Sequence, residues 1–241
     1  MRSGCFRSRR LLAALAVVWC AGAFASAQAN APAASGNLEK VLSQIDTAAA
    51  SFKSAEANFV WDQFQKVINE TDTQKGKIYF RRQNNKEMQM LADVTEPDPK
   101  TVLFGGGKGQ LYQPKIDQVT EYNLGKNRAE FESYVVLGFG GGGHDLLKLY
   151  DVKDLGQETV QGVNAAKLEL VPKSAKVRNT FARILLWIDP ARGVSVQQQF
   201  FEPTGDYRLA KYSDIQLNQK IPDSVFKLKT TGKTKVVSPQ G

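Results

Sequence analysis

The feature that most constrains the fold of this chain is a series of segments in which apolar and polar residues alternate. In KEMQMLADV, Met88 and Met90 alternate with polar neighbours, and Ala92 and Val94 continue the same row. Such alternation predicts β-strands, because successive side chains of a strand point to opposite faces. The pattern returns in about eleven segments separated by turn residues, which predicts a large antiparallel sheet.

Two other regions have helical spacing. In NLEKVLSQIDTAAASFKS, the apolar residues from Leu38 to Phe52 fall on one stripe, with Asn37 as the expected N-cap. Two short helices are predicted on either side of Gly140 to Gly143. Helices at the start and in the middle of a strand-rich chain predict a mostly β protein with some α, of the α+β class, in which helices pack against one face of the sheet.

The N-terminus has the pattern of a secretory signal peptide. Four arginines precede the uncharged apolar run of residues 11–24, and Ala27-Gln28-Ala29 is a small-x-small cleavage motif, with Ala25-Ser26-Ala27 as a competing one. The alternative is a membrane anchor, but the run is shorter than the roughly 20 residues that a spanning helix needs. We therefore expect residues 1–29 to be cleaved on export, and residues 30–36 to be a flexible lead-in.

Removal of this leader changes both the charge and the cysteine count. The net charge of the whole chain is +8, and without the four leader arginines it is about +4. That value is too small to indicate a nucleic-acid-binding surface. Cys5 and Cys20 leave with the leader, and Trp19 in front of Cys20 argues against lipidation. The mature chain then has no thiol, and its stability must come from an apolar core.

Two glycine-rich stretches raise the question of nucleotide binding. In TVLFGGGKGQLYQ, no Ser or Thr follows Lys108, and a strand pattern follows instead of the helix that a phosphate loop needs. Gly105 to Gly109 is therefore predicted to be a turn between two strands. Gly140 to Gly143 lacks the preceding strand of a dinucleotide-binding motif, and is interpreted as a hinge or flexible loop.

Residues that indicate catalysis are few. His144 is the only histidine, and we expect it to be an exposed loop residue. The chain shows neither a Ser–His–Asp order nor a nucleophile elbow, and its sequence has no cluster of metal ligands. Paired carboxylates such as Glu130 and Glu132 are typical of a solvated face. The sequence therefore predicts no catalytic residue, no metal and no cofactor.

A row of large apolar residues extends over several predicted strands. Its members are Phe59, Trp61, Phe80, Met88, Met90, Leu103, Leu111 and Val119. Two interpretations are open: the row is a core that the helices cover, or it is a partly filled face with a cavity for a hydrophobic ligand. Methionine suits the second interpretation, because its side chain adapts to varied partners.

Several of these segments resemble a known family. NFVWDQFQ, KGKIYFRR and MQMLADVTEPDPKTVLFGGGKGQLYQPKIDQVTEY are similar to the first half of the periplasmic outer-membrane lipoprotein carriers, the LolA family. The matching positions are the strand-ending Arg82, then Glu96-Pro97, Gly107-Lys108, Leu111-Tyr112, Pro114 and Gln118-Val119. YDVKDLGQETVQGVNAAKLELVPK, ILLWIDPARG and FFEPTGDYRLAKYSDIQLNQKIPDSVFKL resemble the later strands, so the resemblance covers residues 38–229.

The resemblance implies a fold and a function. The fold would be an incomplete β-barrel, a large curved antiparallel sheet whose concave face is lidded by helices. Its cavity would hold the acyl chains of lipoproteins, received from an inner-membrane exporter and passed to an outer-membrane receptor. The protein would be a periplasmic monomer and not an enzyme. Residues 37–229 would be its one domain, and residues 230–241 a loose tail.

The resemblance also implies site residues. The cavity would be lined by Phe59, Trp61, Ile78, Phe80, Met88, Met90, Leu103 and Leu111, and by Phe131, Tyr134 and Val135 near the lid. The arginine that contacts the lid in the family falls on Arg82, and Arg81 competes for the role because Gln83 replaces the family's usual proline. Met88 falls on the family's aromatic position. Gly140 to Gly143 replaces a more ordinary loop and would make the lid unusually mobile.

Two alternatives to a lipoprotein carrier remain at this stage. The first is a carrier or sensor of other lipids on the same fold, because the sequence does not specify the cargo. The second is an exported hydrolase, which would need a positioned nucleophile and base.

Overall fold

Twelve strands form one sheet in the computed structural model, which describes residues 33–84, 87–125, 134 and 137–239. In chain order they are β1 (Ser54–Gln65), β2 (Glu70–Arg82), β3 (Met88–Glu96), β4 (Lys100–Gly105), β5 (Lys108–Gln113), β6 (Gln118–Asn123), β7 (Tyr150–Val160), β8 (Val163–Pro172), β9 (Arg183–Asp189), β10 (Val194–Phe201), β11 (Tyr207–Leu217) and β12 (Lys235–Val237). Their order across the sheet is β12-β6-β5-β4-β3-β2-β1-β11-β10-β9-β8-β7. The sheet is open, with β12 and β7 at its edges, and the predicted large antiparallel sheet with helices is confirmed.

Helices account for a small part of the described chain. They are α1 (Ala33–Ser51), α2 (Gly143–Leu149) and α3 (Ala175–Arg178), with two short 3-10 helices at Pro114–Ile116 and Asp223–Phe226. Among the described residues, no helix is both long and apolar enough to cross a membrane.

The first helix begins earlier than expected. It starts at Ala33, inside the predicted flexible lead-in, because alanines extend a helix readily. Asn37 is therefore not the N-cap; its side-chain amide donates a hydrogen bond to Asp154 on β7.

The C-terminal tail was expected to be loose, and this does not hold for residues 231–237. β12 pairs in parallel with β6, from Lys235 opposite Gln118 onwards. The Asp117 carboxylate accepts hydrogen bonds at 2.6 Å from the hydroxyls of both Thr231 and Thr234. The physical reason is that β6 would otherwise leave backbone N–H and C=O groups unpaired at the edge of the sheet. β12 pairs with these groups through its own backbone, so the pairing does not depend on apolar side chains in β12.

The turn predicted at Gly105 to Gly109 is confirmed. β4 and β5 pair in antiparallel register with Gly105 opposite Lys108. The two residues between them, Gly106 and Gly107, have φ values of 60° and 75°. Two consecutive positive φ values are what a tight hairpin turn of this length requires, and glycine adopts them without steric cost.

Two apolar clusters cover the inner face of the sheet, which we define as the face against which α1 and residues 137–140 pack. The aliphatic cluster lies on β7 to β9, with α1 and Leu137 packed on them, and consists of Val41, Ile45, Leu137, Tyr150, Ala166, Leu168, Leu170, Ile184, Leu186 and Ile188. The aromatic cluster lies mainly on β1 to β3 and consists of Phe52, Ala55, Ala57, Phe59, Ile78, Phe80, Met88, Ala92, Val94, Phe139, Val194, Ala210 and Tyr212.

Candidate ligand-binding site

The aromatic cluster is built from rows of side chains that the strand register aligns across the sheet. Ala57, Ile78 and Ala92 form one row across β1, β2 and β3, because they are direct partners in the two ladders. Next to such rows, Phe59 stacks on Trp61 with ring centroids 4.2 Å apart. Trp61, Met90 and Val102 pack against this cluster and are only partly buried. The described side chains therefore offer a continuous apolar surface with accessible margins.

Phe139 closes the centre of this surface. It belongs to the segment of residues 137–140, which we call the cover segment. The Phe139 side chain is 1% exposed. Its ring stacks on Phe80 at a centroid distance of 4.5 Å and meets Tyr212 edge-on at 5.0 Å. One side chain from a loop thus occupies the position that a flat apolar ligand group would take on the same sheet.

Buried polar groups of the sheet hold the backbone of the cover segment. The Tyr212 hydroxyl donates to the Gln198 side-chain oxygen at 3.1 Å, and the Gln198 amide donates to the Leu137 carbonyl. The backbone N–H of Ser195 donates to the Gly138 carbonyl at 2.8 Å. Burial raises the pKa of Tyr212 well above its ordinary value, so the phenol keeps its proton and remains a donor.

Arg82 joins the cover segment to α1. Its guanidinium donates to the Ala49 carbonyl at 2.9 Å and to the Gly140 carbonyl at 2.6 Å. The same group lies 5.7 Å from the centroid of the Phe52 ring. A planar guanidinium can make these two bonds at once because its donors are fixed in a fork.

Arg81 points to the opposite face of the sheet. Its side chain donates to Asp223 and, at 2.7 Å, to Gln89, and it lies over the Phe226 ring at 4.4 Å. Of the two competing arginines, only Arg82 contacts α1 and the cover segment in this structure.

The glycine-rich stretch is closely packed, which differs from the hinge or flexible loop that we expected. Gly140 has a φ of +81°, and a Cβ built on it would lie 2.6 Å from a Phe52 ring carbon. A Cβ on Gly143 would lie 2.2 Å from the Leu42 carbonyl oxygen of α1. These glycines permit close approach of the backbone to Phe52 and to α1. The sequence pattern was interpreted as flexibility, whereas the missing side chains allow the backbone to pack closely.

The structure brings most of the predicted site residues together. Phe59, Ile78, Phe80 and Met88 are buried members of the aromatic cluster, and Trp61 and Met90 line its margin. Leu111 lies directly across from Val102 on the same face. Tyr134 instead packs against the aliphatic cluster, with its ring 5.7 Å from Phe181. Phe131 and Val135 lie outside the described residues.

Two predicted members of the apolar row face the other way. Leu103 pairs with Leu91 and packs on the outer face against a cluster that contains Ile221 and Phe226. Its neighbour Phe104 takes the inner-face position opposite Met90. Val119 pairs with Tyr112, and Tyr112 pairs with Thr101 of β4. Thr101 and Leu103 are two residues apart and face the same way, so Val119 also lies on the outer face. The prediction was wrong because TVLF is apolar on both faces, so alternation does not define its orientation.

Sequence reasoning missed three aromatic residues of the site. Phe52 was assigned only to the helical stripe, although it packs in the aromatic cluster after α1 ends. Tyr212 lies in a strand whose partner was not predictable from the sequence. Phe139 is the one of the three that the sequence could have indicated. It is a single aromatic residue between two glycines, and a large apolar side chain in such a loop is expected to pack against another part of the protein.

A groove of about 670 Å³ lies between α1 and the turn after β9. Its lining includes Ser43, Thr47 and Ala48 from α1, Arg192 from the turn after β9, and Phe52. Phe52 is also a buried member of the aromatic cluster. This ring therefore belongs to both the groove and the aromatic cluster.

These observations define a class of protein. A sheet with an apolar inner face, closed by one loop and a helix, has the features of a binding site for hydrophobic ligands. The family described as "Outer membrane lipoprotein carrier protein LolA" matches residues 50–229. The chain belongs to this family, whose fold supports the binding and carrying of hydrophobic ligands or lipoproteins.

Solved structures share the fold at low sequence identity. An uncharacterised conserved protein from Thermus thermophilus aligns with a TM-score of 0.54 and 11% identity, over 84% of this chain and 99% of its own. MucB aligns with a TM-score of 0.53 and 13% identity, over 84% of this chain and 66% of its own, so this chain spans just under two thirds of MucB. A LolA superfamily protein from Nitrosomonas europaea aligns at 15% identity and a TM-score of 0.40, over 79% and 97% of the two chains. A sequence comparison with curated proteins gives no match.

Proposed function

We propose that this protein is a periplasmic carrier that shields the acyl chains of lipoproteins on the inner face of its sheet and moves them from the inner to the outer membrane. It performs no chemistry. Its leader directs export, and it works as a monomer that meets an inner-membrane lipoprotein exporter and an outer-membrane receptor.

The observation that carries this proposal is the construction of the closed site. Phe139 covers Phe80 and Tyr212 from a loop, and the loop is held by hydrogen bonds to side chains and backbone of the sheet. Displacement of one segment would expose aromatic, methionine and alanine side chains together.

The energetics suit a carrier of acyl chains. Each methylene removed from water contributes about 0.8 kcal/mol, so several chains in water are strongly unfavourable and need an apolar surface. Binding must also be reversible. Release is favoured when the cover segment returns, because Phe139 then regains its contacts with Phe80 and Tyr212.

The first experiment is native mass spectrometry of the mature protein purified from a periplasmic extract. A bound mass equal to that of a triacylated lipoprotein supports the proposal. A phospholipid or fatty acid in its place indicates the alternative function, a carrier or sensor of other lipids.

A direct binding assay supplies the control. The purified protein is titrated with a triacylated peptide and with the same peptide without acyl chains, in competition with a neutral apolar dye. We expect only the acylated peptide to displace the dye. If neither peptide displaces it, or if the protein takes up no dye at all, the proposed function is wrong.

A further inference from the structure

The only histidine of the chain lies between the two helices that flank the closed site. His144 was expected in an exposed loop, but it belongs to α2, next to Gly143, and its ring faces α1. Each ring nitrogen meets a different carboxylate. Nδ1 is hydrogen-bonded to Asp46, and Nε2 lies 3.1 and 3.2 Å from the two oxygens of Glu39.

This geometry specifies a protonation state. A carboxylate only accepts hydrogen bonds, and a neutral imidazole has a single N–H. With Asp46 and Glu39 on opposite sides of the ring, both contacts are hydrogen bonds only when both nitrogens carry protons. In the neutral ring, one nitrogen lone pair would face a carboxylate oxygen at hydrogen-bond distance, which is repulsive.

The charged groups around the ring come from both helices. From α1 these are Glu39 and Asp46, and from α2 they are Asp145 and Lys148. Lys148 pairs with Asp145 at 2.6 Å, so it does not replace the histidine as the partner of Glu39 or Asp46. The His144 side chain is 43% exposed, and its protonation therefore follows the pH of the solvent.

Asp46 has a second role that does not depend on the histidine proton. Its carboxylate accepts the backbone N–H of His144 at 3.2 Å, at the start of a helix whose own N-cap, Gly142, has no capping side chain. Asp46 thus caps α2 from another helix. When the ring is neutral, this backbone hydrogen bond between α2 and α1 remains, but the ionic contacts of the imidazole with Asp46 and Glu39 are lost.

We propose that His144, Asp46 and Glu39 form a pH-sensitive latch that holds α2 and the adjoining cover segment against α1 while the imidazole is protonated, and weakens this closed arrangement when the imidazole becomes neutral. The latch rests on the proposed function, since it regulates access to the same apolar face. Its mechanical link is short: the chain runs from Phe139 to His144 through the glycines that pack on Phe52 and Leu42.

The direction of the pH effect follows from the contacts. The hydrogen bond to Asp46 raises the pKa of His144 above its ordinary value, burial opposes this, and Glu39 raises it further. Burial acts to raise the pKa of Asp46, but hydrogen bonds from His144 outweigh it and lower that pKa. A raised imidazole pKa means that the latch is complete at acidic pH and is lost as the pH rises through that pKa.

The test uses the mature protein, its Glu39→Gln and His144→Gln variants, and a neutral apolar dye, N-phenyl-1-naphthylamine, between pH 5.5 and 8.5. No other histidine titrates in this range. In the wild type, we expect dye association to become faster as the pH rises, by about tenfold for each unit by which closure raises the His144 pKa. In Glu39→Gln the profile should be shallower than in the wild type, because the amide can donate to the neutral ring and accept from the charged one, while Asp46 still raises the imidazole pKa. In His144→Gln it should be flat because no imidazole is left to titrate.

Two readouts do not require ligand binding. The single histidine gives one set of imidazole NMR signals, and we expect its pKa to fall towards the ordinary value in Glu39→Gln. Hydrogen exchange of the Ser195 amide, corrected for the intrinsic pH effect, should become faster at high pH in the wild type, less so in Glu39→Gln, and not at all in His144→Gln. If the His144 pKa and this exchange are the same in wild type and Glu39→Gln, the latch is wrong. If both change as expected while the dye never binds, the latch stands and the proposed function fails.

Discussion

The two clusters on the inner face of the sheet are closed in different ways. In the aliphatic cluster, Leu168, Leu170 and Leu186 are completely buried between strands and the apolar stripe of α1. In the aromatic cluster, the closing residues are Phe52 and Phe139, which lie in connecting segments outside the helices and strands. Polar side chains take part in the second closure: Arg82 and Gln198 hold the backbone of the cover segment.

This difference separates a permanent core from the half of the sheet that we propose as the binding site. Aliphatic side chains sealed by a long helix gain stability from area and packing, and opening them would cost most of the stability of the protein. Opening the cover segment costs its hydrogen bonds, at about 0.5–1.5 kcal/mol each or somewhat more when one partner is charged, and the contacts of Leu137 and Phe139. That is less than the cost of opening a whole cluster, and we therefore propose that ligands bind in the aromatic half.

The largest expected effect is in the aliphatic cluster. Leu186→Ala should lower the free energy of unfolding by about 4 kcal/mol, because it leaves a cavity in a fully buried position. Urea unfolding of the mature protein measures this. Leu155→Ala, at a side chain that is 47% exposed, is the matched control and should change stability by less than about 0.5 kcal/mol. Equal losses in both variants would contradict the assignment of the permanent core.

The next effect separates the two clusters. Phe139→Ala should lower the free energy of unfolding by about 3 kcal/mol and at the same time increase the fluorescence of a bound apolar dye, because it uncovers Phe80. Leu186→Ala, compared at the same fraction folded, should not increase dye binding. If both variants bind dye equally, the cover segment is not a cover but an ordinary part of the core.

A smaller effect tests the close packing of the glycines. Gly143→Ala should destabilise the protein by about 2 kcal/mol, since the new Cβ would overlap the Leu42 carbonyl and force α2 away from α1. Gly109→Ala is the control, because a Cβ there meets nothing within 4 Å and its φ is not positive. Thermal unfolding of both variants compares them, and a neutral Gly143→Ala would show that α2 does not need this contact.

The smallest stability effect is expected at the arginine. Arg82→Gln removes the bridge between Ala49 and Gly140 and should cost about 1–2 kcal/mol. It should speed hydrogen exchange at the Ser195 amide, which donates to the cover segment. Arg81→Gln removes a contact on the outer face and should leave that amide unchanged. Faster exchange in Arg81→Gln alone would reverse the assignment of the two residues.

Much of the fold was predictable from local patterns. The strands around the Gly106-Gly107 turn were found because short strand-like segments and turn chemistry agree at that position. The start of α1 was not predicted correctly. Asn37 is a residue type that caps helices well, but its side chain is hydrogen-bonded to Asp154 instead. The strand in the tail was missed because its formation depends on the exposed edge of β6, not on the residues of β12.

The site was predictable in part. Phe59, Ile78, Phe80 and Met88 were found because their strands alternate clearly. Leu103 was assigned to the wrong face of the sheet because its segment does not alternate clearly. The resemblance to a family pointed to Arg82, with Arg81 as a competitor because Gln83 replaces the family's usual proline.

Local sequence patterns are sufficient to predict the alternating strands, the glycine turn and most of the apolar row, because each depends on residues near one another in the chain and on the period-two geometry of a strand. Only the tertiary structure decided which rows share the inner face, that Phe139 closes them, and that His144 stands between Asp46 and Glu39. These contacts join residues far apart in sequence, and their energies arise when sheet register and helix packing bring them together. A single sequence carries no direct record of that geometry.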